Sequence, residues 1–262
     1  MAKQLMIYER AVPISSERHR DWSVETGGNY GFAREVNSVP LLAAEFIPAA
    51  TDHAIVFAGS EEAVFPSVIL GIRDNENSHV GPDGSWTGGY IPAFLRRYPF
   101  VFSRSDDGET FTLCMDEEYE GFNQDGRGER LFDSTGQRTQ YLESILNFTR
   151  EYQTLFDRTQ QFCARLVEHD LLRPGQANFN LGDLGQAQLG GFFTLDRQKL
   201  KELPQEVLSQ MLATDELELC YVHLQSLNNL TPMAQRIAAA GGAAAPDGDG
   251  DGGAGARESE EA

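Results

Sequence analysis

The sequence predicts an α+β protein: a mainly antiparallel sheet from the N-terminal half packed against helices from the C-terminal half. Three observations carry this. Residues 53–72 and 100–115 read as strand–turn–strand units. Apolar residues between Gln137 and Leu172 recur at spacings of three and four. From Ala238 the composition collapses to Ala, Gly, Asp and Glu, from which no core can be built. The expected organisation is one domain over residues 1–237 and a disordered acidic tail over 238–262.

Taken in order, residues 5–65 read as short strands and loops. Glu45-Phe46-Ile47-Pro48 has the look of an edge strand closed by proline. His53–Ala58 and Val64–Ile72 form a hairpin through Gly59-Ser60-Glu61-Glu62. Residues 74–85 are a polar loop. Gly88-Gly89 frees the backbone for a sharp turn, and Pro92 suits the first position of a short helix, where its missing N–H needs no partner. Pro99 stops that helix and biases Tyr98 towards an extended backbone. Phe100–Ser105 and Glu109–Met115 flank Asp106-Asp107-Gly108, a good turn former. The period then changes: Tyr141, Ile145, Phe148, Tyr152, Leu155, Phe156, Thr159, Phe162, Cys163 and Leu166 lie on one helical face. Ser134 with Gln137 resembles a capping box, and Pro174-Gly175 ends the helix. Residues 177–191 are polar and Gly-rich. Asp196 caps Arg197–Glu202, and Pro204 opens a helix with Val207, Leu208, Met211 and Leu212 facing inward. Glu216–Val222 alternates and reads as a half-buried strand, and 223–237 as a helix.

Charge excludes some functions. The 262 residues carry a net charge of −19, of which the tail holds −5, leaving −14 for the body. A body this acidic repels nucleic acid and anionic membrane. Cys114, Cys163 and Cys220 form no CxxC pair and no metal spacing, and their odd number argues against a disulfide framework. Buried thiols in a reducing compartment are expected. The N-terminal residues lack a secretory signal pattern and no run reaches the roughly 18 apolar residues of a membrane span. The expected location is the cytoplasm, with the cell surface by a non-classical route as the alternative.

The densest run of structural signals is Trp86–Arg104, WTGGYIPAFLRRYPFVFSR. Its core GGYIPAFLRRYPF, with the later GGFFTLDRQKLKELP and LELCYVHLQSLNNL, resembles the SapC family of bacterial proteins over most of residues 1–237. That family is named for a protein linked to a Campylobacter surface-layer gene cluster and is distinct from the peptide-transporter permease of the same name. The resemblance implies company with TonB-dependent receptors, tryptophan-halogenase-like flavoproteins and cupin-like proteins encoded nearby. It brings no agreed catalytic residues.

Arg96 and Arg97, beside the Gly-Gly turn and a helix start, are candidates for holding a carboxylate or phosphate, with Trp86, Tyr90 and Tyr98 completing a ligand-binding set. Replacing both arginines by alanine is expected to leave the fold intact and weaken binding. The competing reading has one arginine paired to an internal acid and the other in solvent. The five histidines, at 19, 53, 79, 169 and 223, show no metal spacing, although His169-Asp170 is adjacent at a helix end. Ser60 lacks a GxSxG elbow, and Cys220 near His223 reads as core. Residues 121–128 are Gly-rich without a phosphate-loop ending, and Asp247–Asp251 is one acidic stretch rather than a calcium-binding repeat. No catalytic residue, metal or cofactor is assigned. The expected function is a non-enzymatic binding or accessory protein that meets a protein partner or small anionic ligand. A surface-layer structural role and an enzyme with a spatially assembled metal site are the alternatives.

Overall fold

A computed structural model describes residues 6–104 and 110–243. The turn at 106–108 and residues 244–262 lie outside the described residues. In chain order the elements are β1 (Ala11–Pro13), β2 (Ser23–Val24), β3 (Ser38–Pro40), α1 (Phe46–Ala49), β4 (Ile55–Ser60), β5 (Ala63–Ile69), α2 (Ala93–Arg96), β6 (Phe100–Arg104), β7 (Phe111–Asp116), β8 (Phe122–Asn123), β9 (Glu129–Arg130) and α3 (Gln140–Glu168). They continue with β10 (Leu172–Asn180), β11 (Gln186–Leu195), α4 (Arg197–Lys201), α5 (Gln205–Ala213), α6 (Glu216–Ser226) and α7 (Leu230–Ala243). The fold is α+β, with antiparallel sheets and a helical second half.

The main sheet runs β10-β11-β4-β5-β3, so a hairpin from the second half extends the strands of the first. Two smaller sheets, β1-β7-β6 and β8-β2-β9, stand beside it. Strand periodicity puts Ile55 and Phe57 of β4 in one core with Phe162, Cys163 and Leu166 of α3, and Val56 in a second core with Met233, Ala234 and Ile237 of α7. The sheet thus lies between α3 and α7. The β4–β5 and β6–β7 hairpins form as the sequence predicts.

Helix α3 buries Tyr152, Thr159, Phe162, Cys163 and Leu166 of the predicted stripe, while Leu142, Leu146 and Thr149 are buried in its first half and Tyr141, Ile145, Phe148, Leu155 and Phe156 are only half-buried; it starts later and ends earlier than expected. Asp133 Oδ1 accepts the N–H groups of Thr135 and Gln137, which uses up that segment in a turn. Thr139 is the N-cap instead, its hydroxyl accepting from Leu142 N at 3.3 Å. At the other end His169 caps the helix and Asp170 turns at φ 49°, so the chain reverses before Pro174-Gly175. Those two residues lie in β10. A Cβ at Gly175 would fall 2.3 Å from the Phe192 ring, which is why glycine stands there.

Four further expectations are corrected. Glu45–Pro48 is no strand: the Glu45 carboxylate accepts Leu42 N at 3.0 Å and closes a helical turn that runs into α1. Glu216–Val222 is helical. Its buried positions are Glu216, Cys220, His223 and Ser226, polar or small residues that hide the helical period behind an alternation of leucines. They are buried because they bond across the core: Glu216 to Arg165 at 2.6 Å, Leu195 N to His223 Nε2 at 3.0 Å, and Ile55 N to Ser226 Oγ at 3.0 Å. On α5 only Met211 is buried, and Leu212 is 66% exposed. Residues 238–243, placed in the tail by composition, continue α7.

Candidate functional site

Helix α2 is a single turn started by Pro92 and stopped at Pro99, which follows a cis peptide bond. Successive residues on a helix point about 100° apart, so a one-turn helix with two adjacent arginines sends them to different places. Arg97 is 3% exposed, its guanidinium carbon 4.6 Å from the ring centres of both Phe94 and Tyr152 and 5.9 Å from that of Tyr8. Arg96 points outward, its side chain 43% exposed. The two guanidiniums therefore do not form one anion site.

Arg96 is held in place from below. Its Nε–H donates to Ile91 O at 2.9 Å, and its guanidinium lies 5.9 Å from the Tyr90 ring centre and 5.6 Å from that of Phe148 on α3. Beneath it sits Glu45, 5% exposed. Its carboxylate accepts from Ala93 N at 2.6 Å, Tyr90 Oη at 2.8 Å and Leu42 N, and stands 3.9 Å from Arg96 Nη2. Burial, then the Glu45 charge, push the Tyr90 phenol up to about 12, so it stays a hydrogen-bond donor. Phe148, which faces Arg96, belongs to a half-buried apolar cluster with Leu155, Phe156 and Phe65, in which Phe65 stacks on Phe156 at 4.6 Å.

Trp86 and Tyr98 flank this centre. The Trp86 indole stacks on His79 at 5.3 Å and meets Tyr30 edge-on at 5.6 Å. Tyr30 touches Phe32, and Phe32 stacks on Tyr98 at 4.1 Å. The Tyr98 hydroxyl turns inward to Asp116 Oδ2 at 3.3 Å. Trp86, Tyr90 and Arg96 are thus brought towards the surface, while Arg97 and the Tyr98 hydroxyl serve the interior.

The Gly88-Gly89 turn exists for close approach rather than for a left-handed backbone, since neither glycine has positive φ. A Cβ at Gly88 would lie 2.7 Å from His79 Nδ1 and 2.9 Å from Trp86 Nε1, and one at Gly89 2.4 Å from Asp52 Oδ2. Asp52 in turn accepts Tyr90 N at 2.6 Å. His53 bonds the Tyr90 carbonyl at 2.8 Å; a carbonyl only accepts, so Nε2 carries the proton. Burial lowers both histidines, His79 to about 3, with the neighbouring His53 adding to the effect there. They are neutral packing groups under Tyr90.

Elsewhere burial disfavours the thiolate form of the cysteines. Burial pushes the Cys163 and Cys220 thiols up to about 12, and all three cysteines are free and buried. His223 is committed to Leu195 N. Among the described residues no group of three or more His, Cys, Asp or Glu side chains is arranged to hold a metal ion, and no helix is long and apolar enough to cross a membrane.

Glu45, Asp52, His53, His79 and Phe148 were not assigned to this site from the sequence: Glu45 and His53 read as strand residues, His53 and His79 were weighed only as metal ligands, and Phe148 read as a member of the aromatic stripe. A family model described as SapC matches residues 14–233, which span every element from β2 to the first turn of α7. No curated protein and no solved structure matches the chain.

Proposed function

The chain belongs to the SapC family, and on that footing we propose that it is a non-enzymatic binding protein that docks a protein partner through Arg96 and its aromatic surround. The observation that carries this reading is the geometry of Arg96. It is a guanidinium anchored on one side by Ile91 O, faced by Tyr90 and Phe148, and open to water on the other. A preorganised arginine among aromatic rings is the composition of an interface hot spot. Its outer N–H edge suits one carboxylate. The half-buried Phe148, Leu155 and Phe156 suit a large apolar side chain beside it. The acidic body favours a partner segment that is otherwise basic. We assign the protein to the cytoplasm; its three buried, unbonded cysteines support that compartment.

The test is selection from a displayed peptide library on the immobilised full-length protein and on its Arg96→Ala variant. The expected result is enrichment of segments with one acid next to a large apolar residue, lost with Arg96→Ala. Enrichment that survives the substitution, or no enrichment at all, sinks the reading. Fractionation of native cells with an immunoblot tests the compartment: the cytosolic fraction is expected to hold the protein, and a surface wash free of a cytosolic marker is not.

A further inference from the structure

The β10–β11 hairpin is an arm. Only Phe192 and Phe193 of β11 pair with β4, so the outer part of the hairpin stands past the rest of the main sheet. One face of that arm packs on α7 through Phe179, Ala187 and Leu189. The other face presents Gln176, Asn178, Asn180, Gln186 and Gln188 to solvent. The amides are already in a row, with Gln188 Nε2 and Gln176 Nε2 donating to Asn178 Oδ1 at 3.2 and 3.5 Å. β10 is the sheet's edge, and among the described residues β11 is its only strand partner.

Exposed edges are normally guarded by charge, proline or a bulge. Here the guards are at the base of the strand, Arg173 and Pro174; the register shift between Gly175 and Ala177 puts its extra residue in β11, at Gly190-Gly191, and leaves β10 regular. From Gln176 to Asn180 there is none. This is unusual in a chain of net charge −19, and Asp183 is the single charged residue between Pro174 and Leu195.

We propose that the outer edge of β10 pairs antiparallel with β10 of a second copy of this chain, centred on Asn178, joining the two five-stranded sheets. Neutrality favours a copy as occupant, because two chains of this charge approach best where neither presents an acid. The register favours it too. About Asn178, Gln176 meets the partner copy's Asn180 and Ala177 meets its Phe179, so amides face amides and apolar side chains face apolar ones. The arm is remote from Arg96 in its chemistry, and the proposal does not depend on the docking function.

Sedimentation of the full chain across the micromolar range tests it. The expected mass is twice the 29.0 kDa of the chain. Asn178→Glu sets two like charges directly opposite and is expected to raise the dissociation constant at least about tenfold. At concentrations below those at which the parent dimerises, its thermal midpoint should lie close to the parent's, because Asn178 is exposed and its only side-chain bonds are to the exposed Gln176 and Gln188. Gln188→Glu places the same charge on the same face one strand inward, where the two copies' carboxylates are about 14 Å apart, and is expected to shift the equilibrium far less. A monomeric parent overturns the proposal, as does a dimer that Asn178→Glu leaves intact. A third outcome also overturns it: a monomer whose 176–180 amides exchange slowly until residues 244–262 are deleted, which makes the tail the occupant.

Discussion

Arg97→Ala and Arg96→Ala, made separately, distinguish two adjacent residues that the sequence presents as a pair. Arg97 lies 4.6 Å from two ring centres at 3% exposure. A desolvated cation–π contact contributes about 2 kcal/mol or more. Truncation also opens a cavity between α2 and α3 and removes the packing of the aliphatic stem, so the total cost is about 3–5 kcal/mol. With a urea m-value of about 2–3 kcal/mol/M, the midpoint falls by about 1–2.5 M. Arg97→Lys keeps the charge but not the planar group that fits between rings, and should lose roughly half as much. Arg96→Ala removes the hydrogen bonds to Ile91 O and Tyr90 Oη, two half-exposed ring contacts and the approach to Glu45, and should cost about 1–2 kcal/mol. Urea unfolding followed by the fluorescence of Trp22 and Trp86 reads all three. If Arg97→Ala costs less than about 1 kcal/mol, or Arg96→Ala costs as much as Arg97→Ala, the division of labour argued for α2 is wrong.

Two other outcomes are expected. Glu45→Ala orphans the N–H groups of Leu42 and Ala93 and the Tyr90 hydroxyl, and should destabilise by about 3–5 kcal/mol; Glu45→Gln, which keeps one acceptor oxygen, should cost clearly less, and equal losses in urea titrations count against the carboxylate's role. Stability should also fall with acid before the carboxylates titrate. His53, His79 and His223 are lowered by burial, His79 to about 3 and His223 to about 4, so below about pH 6.5 the unfolded chain binds protons that the folded chain does not. Their contribution is complete above about pH 7 and is lost as pH drops towards the folded values, at up to about 1.4 kcal/mol per pH unit for each histidine. Urea midpoints that stay level between pH 7 and 5 contradict this, and His79→Gln should flatten the slope.

What the sequence made legible follows one pattern. Most elements whose buried face is apolar were visible: α3 through its periodic apolar residues, β4–β5 through two apolar runs about a turn, β6–β7 through alternation, α2 through its two prolines; α1 was too short to show a helical period. Elements whose buried face is polar were not. Helix α6 buries Glu216, His223 and Ser226 because each bonds to a distant strand or helix, and its leucines fall outside that face, so the sequence shows no hydrophobic helical period there. The β10–β11 arm failed for the opposite reason: its apolar face is thin and its glycines and amides resemble a loop. The same limit applied at the site. Tyr90 and Arg96 stood out within a distinctive run, but Glu45, Asp52 and His53 reach that run from a segment roughly 40 residues earlier. No local spacing records that contact.

The run from Trp86 to Arg104 is informative because, on the docking reading proposed above, one short turn of helix does two jobs whose requirements conflict. A buried arginine needs rings and exclusion of water; a docking arginine needs a fixed base and open solvent. Adjacent positions on a helix meet both, since the same turn that drives Arg97 between Phe94 and Tyr152 must swing Arg96 outward over Tyr90 and Phe148. Glu45 ties the two jobs together. By accepting Ala93 N it fixes the start of α2, and by accepting the Tyr90 hydroxyl it fixes the ring against which Arg96 lies. The stability of the core and the pose of the exposed guanidinium therefore rest on one buried carboxylate.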